Sequence, residues 1–386
     1  MKKVLIIIPH YFPGYKYGGP ERTVKNIVDT FGENVKFYIY TQNTDYGSDK
    51  PYKDIDTEKW IDNGNSSIMY MTKEKFLGKR LVKLYRQFEI IYACGLFEKS
   101  SIVLMSIHKV LRERCKHIYI APMGVFSEGA INSKAAKKKI FLSVFSTMGF
   151  FKNIIWSFTS ELELMDASKN IPKKYLTEYI IAEDLPRKVN FEKCLQNKEQ
   201  EKNTDDKTVR IVFLSRICPK KNLDYCLDVL NYDFSRKIIF DIYGTKEDKD
   251  YWDVCLKKIE NLPTNVVANY KGTVQPEEVI SVFEKYDIFL FPTKGENFGH
   301  VIYEALVGGC IPIISNTTPW LELEKNNCGR VCNLNDIDMF RNTIENYLSK
   351  DTAQLLEEKN NAIRYAKKKY EYSVKNSGYR KIWEKV

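Results

Sequence analysis

Short apolar segments alternate with segments of helical character over residues 209–349, and this alternation restricts the possible folds most strongly. Segments with the continuous hydrophobicity of strands buried on both faces of a sheet lie at 209–215, 237–243, 266–271, 288–292 and 311–315. Predicted helices follow at 222–230, 248–261, 276–286, 299–308 and 336–349. Strands that alternate with helices over such a length predict a doubly wound α/β domain with a parallel sheet.

The amino-terminal part of the chain opens with the same unit. Lys3–Ile8 is predicted to be a buried strand, Glu21–Phe31 a helix and Val35–Tyr40 a second strand. Such a crossover implies that the two strands are parallel. Further strands are predicted at 116–121 and 178–182, so we expect a second doubly wound domain.

A chain of 386 residues exceeds one ordinary hydrophobic core, so we expect two domains. Residues 196–208 contain no apolar side chain, which is typical of a linker. The last 35 residues are predicted to form two helices that separate near Tyr370 and Glu371. The predicted domains are 1–190 and 191–371, with a helix at about 372–386 that packs back on the first domain. Because ligands bind outside the carboxyl ends of parallel strands, we expect the site between the two domains.

Composition restricts the class of partner. The formal net charge of +10 favours anionic partners, but the chain has no zinc-finger or ribonucleoprotein signature, so we do not expect nucleic-acid binding. Nine cysteines occur singly, without a Cys-x-x-Cys pair, which indicates reduced thiols in a cytoplasmic protein. No apolar run is long enough to span a bilayer, and the run that ends at Pro9 is too short for a signal peptide.

A basic loop follows the first strand of the second predicted domain. Residues 214–222 read Leu-Ser-Arg-Ile-Cys-Pro-Lys-Lys-Asn and lead into a helix. Arg216 offers a planar set of donors, Lys221 a point charge, and the helix start at Asn222 free backbone N–H groups. This combination is suited to bind a diphosphate. A basic surface loop closed by an Asn cap is the alternative.

A second loop, residues 294–300, leads from a later strand into a helix. Glu296 lies in the loop and Glu304 about one and a half turns into the helix, so the two carboxylates can reach different parts of one extended ligand. A carboxylate in the helix suits ribose hydroxyls, and one in the loop suits a sugar or positive charge at an anomeric carbon. Two unrelated surface glutamates are the alternative, which the intervening Asn297-Phe298-Gly299 disfavours.

These motifs resemble those of the family 4 retaining glycosyltransferases of the GT-B fold, over nearly the whole chain. The resemblance rests on the spacing of Glu296 and Glu304, on Ser215-Arg216 with Pro219-Lys220-Lys221-Asn222, and on Pro13-Gly14 with Gly18-Gly19-Pro20-Glu21-Arg22. Residues 121–139 and 159–163 are similar to bacterial members that build polysaccharides.

The resemblance implies two Rossmann-like domains that face each other across a cleft, and a nucleotide-sugar donor. It implies that Arg216 and Lys221 hold the donor pyrophosphate, that Glu304 binds the ribose, and that Glu296 is the catalytic residue facing the donor sugar. The remaining donor-side residues are expected in loops that approach the phosphates or the nucleotide, namely Gly18, Gly19, Gly244, Gly272, Asn297, Phe298, Gly299 and His300.

The acceptor side is predicted in the first domain, at His10, Cys94, Met123 and Glu128. His10 follows the first strand and is placed to line the cleft. Many members of the family have a His in the stretch where this chain has Cys94. Members with a similar lysine-rich segment often have Arg where this chain has Met123, so the two departures affect the acceptor side and not the donor side.

No metal or other cofactor is expected, and the nucleotide-sugar is a substrate. Two Asp-x-Asp tripeptides, at 54–56 and 336–338, do not follow an apolar strand and are interpreted as solvated loop or helix-start residues. Arg216 and Lys221 are expected to neutralise the leaving diphosphate in place of a metal.

Residues 129–160 carry five lysines, no acidic residue and several aromatic side chains. This composition is ambiguous: it is typical of an interfacial helix on an anionic membrane and equally of a core-packing helix with a lysine-rich solvent face.

Together these features predict a glycosyltransferase that moves a hexose-type sugar from a nucleoside-diphosphate-sugar to a glycan or lipid-linked acceptor, with retention and without a metal. The expected setting is bacterial surface polysaccharide synthesis, of capsule or lipopolysaccharide, in the cytoplasm or at the inner face of the membrane. A nucleotide-sugar 2-epimerase of the same fold and a non-catalytic partner subunit are the alternatives. The intact set of Arg216, Lys221, Glu296 and Glu304 argues against the second.

Overall fold

A computed structural model describes residues 1–111, 117–126, 131, 135–199 and 208–384, which form two units. Unit 1 comprises Met1–Lys188 with Ser373–Val386, and unit 2 comprises Val189–Tyr372. Each unit contains one predominantly parallel sheet with helical crossovers, so the predicted α/β class with two doubly wound domains is confirmed.

The strands of unit 1 form one sheet, in which β3 runs antiparallel to β4 and the other pairs are parallel. They are β1 (Lys2–Ile7), β2 (Val35–Gln42), β3 (Trp60–Asp62), β4 (Ser66–Met71), β5 (Ile90–Cys94), β6 (His117–Ala121), β7 (Ile154–Phe158) and β8 (Tyr179–Ile181), in the sheet order β3-β4-β2-β1-β5-β6-β7-β8. The helices are α1 (Gly19–Phe31), α2 (Lys79–Gln87), α3 (Lys99–Leu111), α4 (Ala135–Thr147), α5 (Glu161–Ser168) and a helix at Tyr379–Glu384.

Unit 2 has an all-parallel sheet covered by helices. Its strands are β9 (Val209–Leu214), β10 (Ile238–Tyr243), β11 (Val266–Gly272), β12 (Ile288–Phe291), β13 (Ile311–Ser315) and β14 (Arg330–Cys332), in the order β11-β10-β9-β12-β13-β14. Its helices are α6 (Phe191–Glu199), α7 (Leu223–Leu230), α8 (Lys249–Glu260), α9 (Val279–Phe283), α10 (His300–Val307), α11 (Ile337–Leu348) and α12 (Thr352–Lys375), the last of which continues into unit 1. Among the described residues, no helix is both long and apolar enough to cross a membrane.

Each sheet begins in its middle and is extended in both directions. β1 lies between β2 and β5, and β9 lies between β10 and β12. The connections leave these central strands on opposite sides of the sheet, which opens a crevice at their carboxyl ends, where such sheets bind ligands. The loops after β1 and β5 are therefore the expected ligand-binding positions of unit 1, and the loops after β9 and β12 are those of unit 2.

The predicted linker at 196–208 is wrong for its first residues. Residues 196–199 belong to α6, and residues 200–207 lie outside the described part of the chain. A polar sequence predicts exposure, so this part of the helix was not recognised. A lysine can nevertheless be buried in a helix, because its aliphatic stem packs against apolar atoms. Lys198 is almost fully buried, and its Nζ donates to the carbonyl of Glu284 at 2.7 Å.

The predicted break near Tyr370 is also wrong, because α12 continues to Lys375 and the chain turns at 376–378. At Gly378 the backbone approaches β8 so closely that a Cβ would lie 1.9 Å from the carbonyl oxygen of Ile181. After this turn, the helix at Tyr379–Glu384 packs Ile382 and Trp383 into the core of unit 1. The close approach of Gly378 to Ile181 accompanies the turn after α12, and no local sequence pattern reveals it.

Two side chains of α1 anchor the chain that follows β8. Thr23 Oγ1 donates to Asp184 Oδ1 at 2.7 Å, and Asn26 Nδ2 donates to the carbonyl of Leu185 at 2.7 Å. Burial of the Asp184 carboxyl group, which the Thr23 hydrogen bond opposes, raises its pKa from 3.8 to about 6. The folded protein therefore holds this proton at pH values where the unfolded chain has lost it.

We expect Asp184 to make the stability of unit 1 depend on pH. A raised carboxyl pKa stabilises the folded state below pH 4, and this contribution is lost as the pH rises through about 6. Between pH 5 and pH 7, the wild-type protein should lose about 1 kcal/mol of unfolding free energy relative to Asp184→Asn, after a discount for partial solvent screening. Urea denaturation of both proteins across this range measures the difference. A constant difference across the range would contradict the assignment.

Candidate functional site in unit 2

The loops that follow β9 and β12 are joined by hydrogen bonds. The backbone N–H of Lys294 donates to the carbonyl of Lys220 at 2.9 Å, and Thr293 Oγ1 reaches the same carbonyl at 3.2 Å. Asn222, which has a left-handed backbone conformation, directs its Nδ2 to the carbonyl of Pro292 at 2.9 Å instead of capping α7. Residues 220–222 and 292–294 therefore form one structure at the carboxyl edge of the sheet.

This arrangement brings Lys221 and Glu296 into contact. Lys221 Nζ forms an ion pair with Glu296 Oε1, and the two side chains are only 11% and 12% exposed. The ammonium group also lies 5.6 Å from the centre of the Phe291 ring. Since burying a charge without a partner is costly, the two groups hold each other in place.

Arg216 lies in the same loop but is more exposed. Its Nη1 contacts Glu247 Oε1 at 3.1 Å and Oε2 at 3.2 Å, with side-chain exposures of 57% for Arg216 and 41% for Glu247. Water screens such a pair, so the guanidinium can exchange its partner at little cost.

Glu304 lies on α10 and is almost fully buried. The helix begins after Gly299, a residue with positive φ, and the adjacent Phe298 carbonyl accepts a 2.6 Å hydrogen bond from Trp320 Nε1. His300 opens the helix with its ring 4.7 Å from that of Phe298, and Asn297 is exposed in the loop before it. The predicted donor-loop residues thus lie between β12 and the first turn of α10.

Gly244 and Gly272 end the neighbouring strands β10 and β11. The N–H of Gly244 donates to the carbonyl of Gly272 at 2.8 Å. A Cβ at residue 244 would lie 1.8 Å from the carbonyl oxygen of Ser215, so glycine is required where the chain crosses the loop that carries Arg216. At Gly272, by contrast, no atom lies within 4 Å of such a Cβ.

In unit 1, the loops after β1 and β5 carry a different set of groups. His10 Nδ1 lies 2.8 Å from the carbonyl of Thr44 and therefore carries the proton, and its ring contacts those of Tyr17 and Tyr46 at 5.4 and 5.7 Å. Tyr17 donates its hydroxyl proton to Glu98 Oε1 at 3.2 Å. The pKa of Glu98 is raised, because the effect of burial exceeds the opposing effects of the hydrogen bond from Tyr17 and of the nearby His10.

The other residues predicted on the acceptor side lie in unit 1 or outside the described residues. Cys94 is fully buried at the end of β5, and burial raises the pKa of its thiol. Met123 has positive φ and packs against the core. Gly18 and Gly19, which the resemblance assigns to the donor side, also lie in unit 1, at the start of α1, with open space where a Cβ would stand. Glu128 lies outside the described residues.

The second Asp-x-Asp tripeptide is a helix start, as predicted. Asp336 Oδ1 accepts the N–H of Met339 and caps α11, and Asp338 pairs with Arg341. Among the described ranges, no group of three or more His, Cys, Asp or Glu side chains is arranged to hold a metal ion.

Sequence reasoning missed several residues around these loops. Glu247, Trp320 and Thr317 contact residues of the predicted donor loops, and Glu98 and Tyr17 flank His10 in unit 1. For Glu247, Thr317, Trp320 and Tyr17 the available signal was their position after predicted strands, because residues beyond the carboxyl ends of neighbouring strands converge. Glu98 follows β5, which was not predicted. At this edge of unit 2, Arg216, Lys221 and Glu296 lie on loops, and Glu304 lies in the helix that follows. Two cations and two carboxylates in this arrangement can contact an extended ligand with phosphate and hydroxyl groups.

Comparison with known families supports this interpretation. Residues 196–369 match the family described as "Glycosyl transferases group 1", so unit 2 carries a domain of this type. Over 309 residues the chain is 23% identical to an uncharacterized 41.2 kDa protein in the cps region of Klebsiella pneumoniae, and the aligned region covers 78% of this chain and 80% of that protein. It is 24% identical over 263 residues to the O-antigen biosynthesis glycosyltransferase WclY of Escherichia coli, which covers 63% of this chain and 65% of WclY.

Solved structures share the complete fold. The crystal structure of HepE from Anabaena in complex with UDP-glucose is similar with a TM-score of 0.65 at 13% identity, covering 100% of this chain and 99% of that one. The predicted GT-B type of fold, with two doubly wound domains, is thereby confirmed.

Proposed function

We propose that this protein transfers a hexose-type sugar from a nucleoside-diphosphate-sugar to a glycan or lipid-linked acceptor in the synthesis of a bacterial surface polysaccharide. The observation that carries the proposal is the meeting of Lys221, Glu296 and the Arg216 loop at the carboxyl edge of a group 1 glycosyltransferase domain. HepE, whose structure contains UDP-glucose, and WclY, named for O-antigen biosynthesis, support the donor class and the setting.

The donor is proposed to bind along this edge. Arg216 can direct two N–H groups at one phosphate, and Lys221 contributes a point charge beside it. Glu304, buried on α10, accepts hydrogen bonds from the ribose hydroxyls. Glu296 then faces the donor sugar, where its negative charge opposes the positive charge that develops at the anomeric carbon. Gly272, where open space stands in place of a side chain, permits close approach of backbone to the donor.

In the proposed reaction, the acceptor oxygen forms a bond to the anomeric carbon while the bond from that carbon to the diphosphate oxygen breaks. The acceptor hydroxyl proton passes to the departing phosphate oxygen on the same face of the sugar, so the product retains the anomeric configuration. Arg216 and Lys221 stabilise the diphosphate as its charge increases, which is the role that a metal ion has in other transferases.

A donor screen tests the proposal. Full-length protein incubated with uridine, guanosine, adenosine and thymidine diphosphate sugars should release nucleoside diphosphate only when a lipid-linked or saccharide acceptor is present. Release should persist in EDTA, and proton NMR of the product should show the donor's anomeric configuration. A donor converted to its 2-epimer without an acceptor would indicate the epimerase. Nucleotide binding without turnover of any donor would indicate a non-catalytic subunit.

Replacement of Glu304 tests the ribose assignment. Glu304→Gln should weaken nucleoside-diphosphate binding by about 1–3 kcal/mol, because hydrogen bonds to a charged acceptor are lost. Glu277→Gln, an exposed position in the same unit, removes the same charge and should leave the affinity unchanged. Isothermal titration calorimetry measures both, and equal affinities for the two variants would refute the role of Glu304.

We also propose that α4 rests on an anionic membrane surface. Ile140 and Val144 are 64% and 44% exposed and lie four residues apart on one side of α4. Met148, which is 53% exposed, follows directly after the helix. The exposed lysines 137 and 139 lie beside them. An apolar stripe next to lysines can enter the headgroup region while the ammonium groups contact lipid phosphates.

The aromatic residues of this segment have a different role from the one that the composition suggested. Phe141 stacks on Phe145 at 4.0 Å, Phe145 on Phe150 at 4.4 Å, and Phe151 is buried in the core of unit 1. The core-packing interpretation therefore describes the aromatic side of the helix. The aliphatic and lysine side chains on the other side remain exposed, and their contact with a membrane is the proposal.

Charge reversal at α4 tests membrane binding. Lys137→Glu with Lys139→Glu should abolish sedimentation with phosphatidylglycerol vesicles, and wild-type binding should fall as salt screens the attraction. The double variant Lys249→Glu with Lys257→Glu makes the same charge change at exposed positions of α8 and should still sediment. Equal loss of binding in both variants would show that only net charge matters.

A further inference from the structure

We propose that Glu296 determines specificity by competing with diphosphate groups for Lys221, so that the site binds the sugar-linked diphosphate of the donor in preference to the free diphosphate of the product. This inference rests on the proposed function and concerns the same site. The observation that carries it is the ion pair in which Glu296 Oε1 contacts Lys221 Nζ.

Hydrogen bonds between loops hold the competing carboxylate close to Lys221. The contacts of Lys294 and Thr293 with the Lys220 carbonyl fix the two loops to each other. The N–H of Glu296 donates to the carbonyl of Thr317, which lies in the loop after β13, at 3.4 Å. A phosphate that reaches Lys221 therefore meets Glu296 at short range, and the two must share or exchange the ammonium group.

Burial makes this competition strong at Lys221 and weak at Arg216. Both cations of the site have a glutamate partner, but Lys221 and Glu296 are 11% and 12% exposed, whereas Arg216 and Glu247 are 57% and 41% exposed. Charges interact more strongly where water is excluded. Glu296 is thus the carboxylate whose charge a bound phosphate encounters, and Glu247 provides an internal comparison.

The charge of a ligand determines how strongly Glu296 weakens its binding. A terminal phosphate loses its second proton with a pKa of about 6 and carries nearly two negative charges at neutral pH. A phosphate linked to a sugar has no second proton to lose and carries one. The product of transfer therefore has about one more negative charge than the donor, and that charge appears on the phosphate next to the sugar position that Glu296 faces. Repulsion by Glu296 favours release of the product after the sugar has been transferred.

Two small diphosphates separate this effect from recognition of the base and of the sugar. Methyl diphosphate has a free terminal phosphate, as the product has. Symmetrical dimethyl diphosphate, with one methyl group on each phosphate, has none, as the donor has. Calorimetry with full-length wild type, Glu296→Gln and Glu247→Gln at pH 7.5 gives the affinity of each protein for both probes.

Glu296→Gln should bind methyl diphosphate about tenfold more tightly than wild type, and dimethyl diphosphate at most about threefold more tightly. Glu247→Gln should change either affinity by less than about twofold, since its exposed pair is screened. Unchanged or weaker binding of methyl diphosphate to Glu296→Gln would overturn the competition. Equal tightening for both probes would overturn the specificity.

Thermal unfolding distinguishes these results from a folding defect. Without its partner, Lys221 should lower the melting temperature of Glu296→Gln, and methyl diphosphate should restore it more than it raises that of wild type. If Glu296→Gln does not fold, Glu296→Ala provides the same test. The probes require no turnover, so altered probe binding in a protein that transfers no sugar would leave this inference intact and refute the proposed function. Normal transfer with unaltered probe binding would do the reverse.

Discussion

The hydrogen bonds between the loops that follow β9 and β12 are the contact on which the site in unit 2 depends. β9 and β12 are neighbours in the sheet although two strands and several helices separate them in the chain. Their carboxyl ends therefore lie side by side, and the Lys220 carbonyl accepts hydrogen bonds from both residues that follow Pro292. As a result Lys221 meets Glu296, which lies 75 positions later in the sequence. A separation of the loops would leave two charges buried without a partner, which is strongly destabilising.

Burial makes each member of the ion pair depend on the other. Lys221 needs a counter-charge where water is largely excluded, and Glu296 supplies it from the loop that also carries residues 297–300. In the function that we propose, the same carboxylate serves the sugar of the donor and opposes the free diphosphate of the product.

The two units use the same sheet position for different chemistry. At the carboxyl ends of β9 and β12, charged groups of both signs are paired. At the carboxyl ends of β1, β2 and β5, the rings of His10, Tyr17 and Tyr46 contact one another, and the Tyr17 hydroxyl donates to Glu98, whose raised pKa reflects its burial. Unit 1 therefore offers aromatic faces and hydroxyl groups, which are suited to an uncharged, hydroxyl-rich ligand, and unit 2 offers the charges that phosphates require.

The strands of unit 2 with long apolar runs, and the helices between them, were predictable from the sequence because their hydrophobic period is local. β3, β4, β5, β7 and β14 were not predicted. Of these, Ser66–Met71, with its two serines, is recognised only by the neighbours that bury all of it. The helical end of the supposed linker and the turn at Gly378 also depend on contacts with distant backbone, as at Lys198 and Ile181.

The sequence by itself identified the charged residues of the candidate site, since Arg216, Lys221, Glu296 and Glu304 stand out by type, spacing and position after strands. The tertiary structure decided which of them meet. Lys221 and Arg216 belong to one loop, yet one cation is buried against Glu296 and the other is exposed beside Glu247. The physical reason is that burial and pairing depend on the order of strands in the sheet, which brings together loops that the sequence keeps far apart.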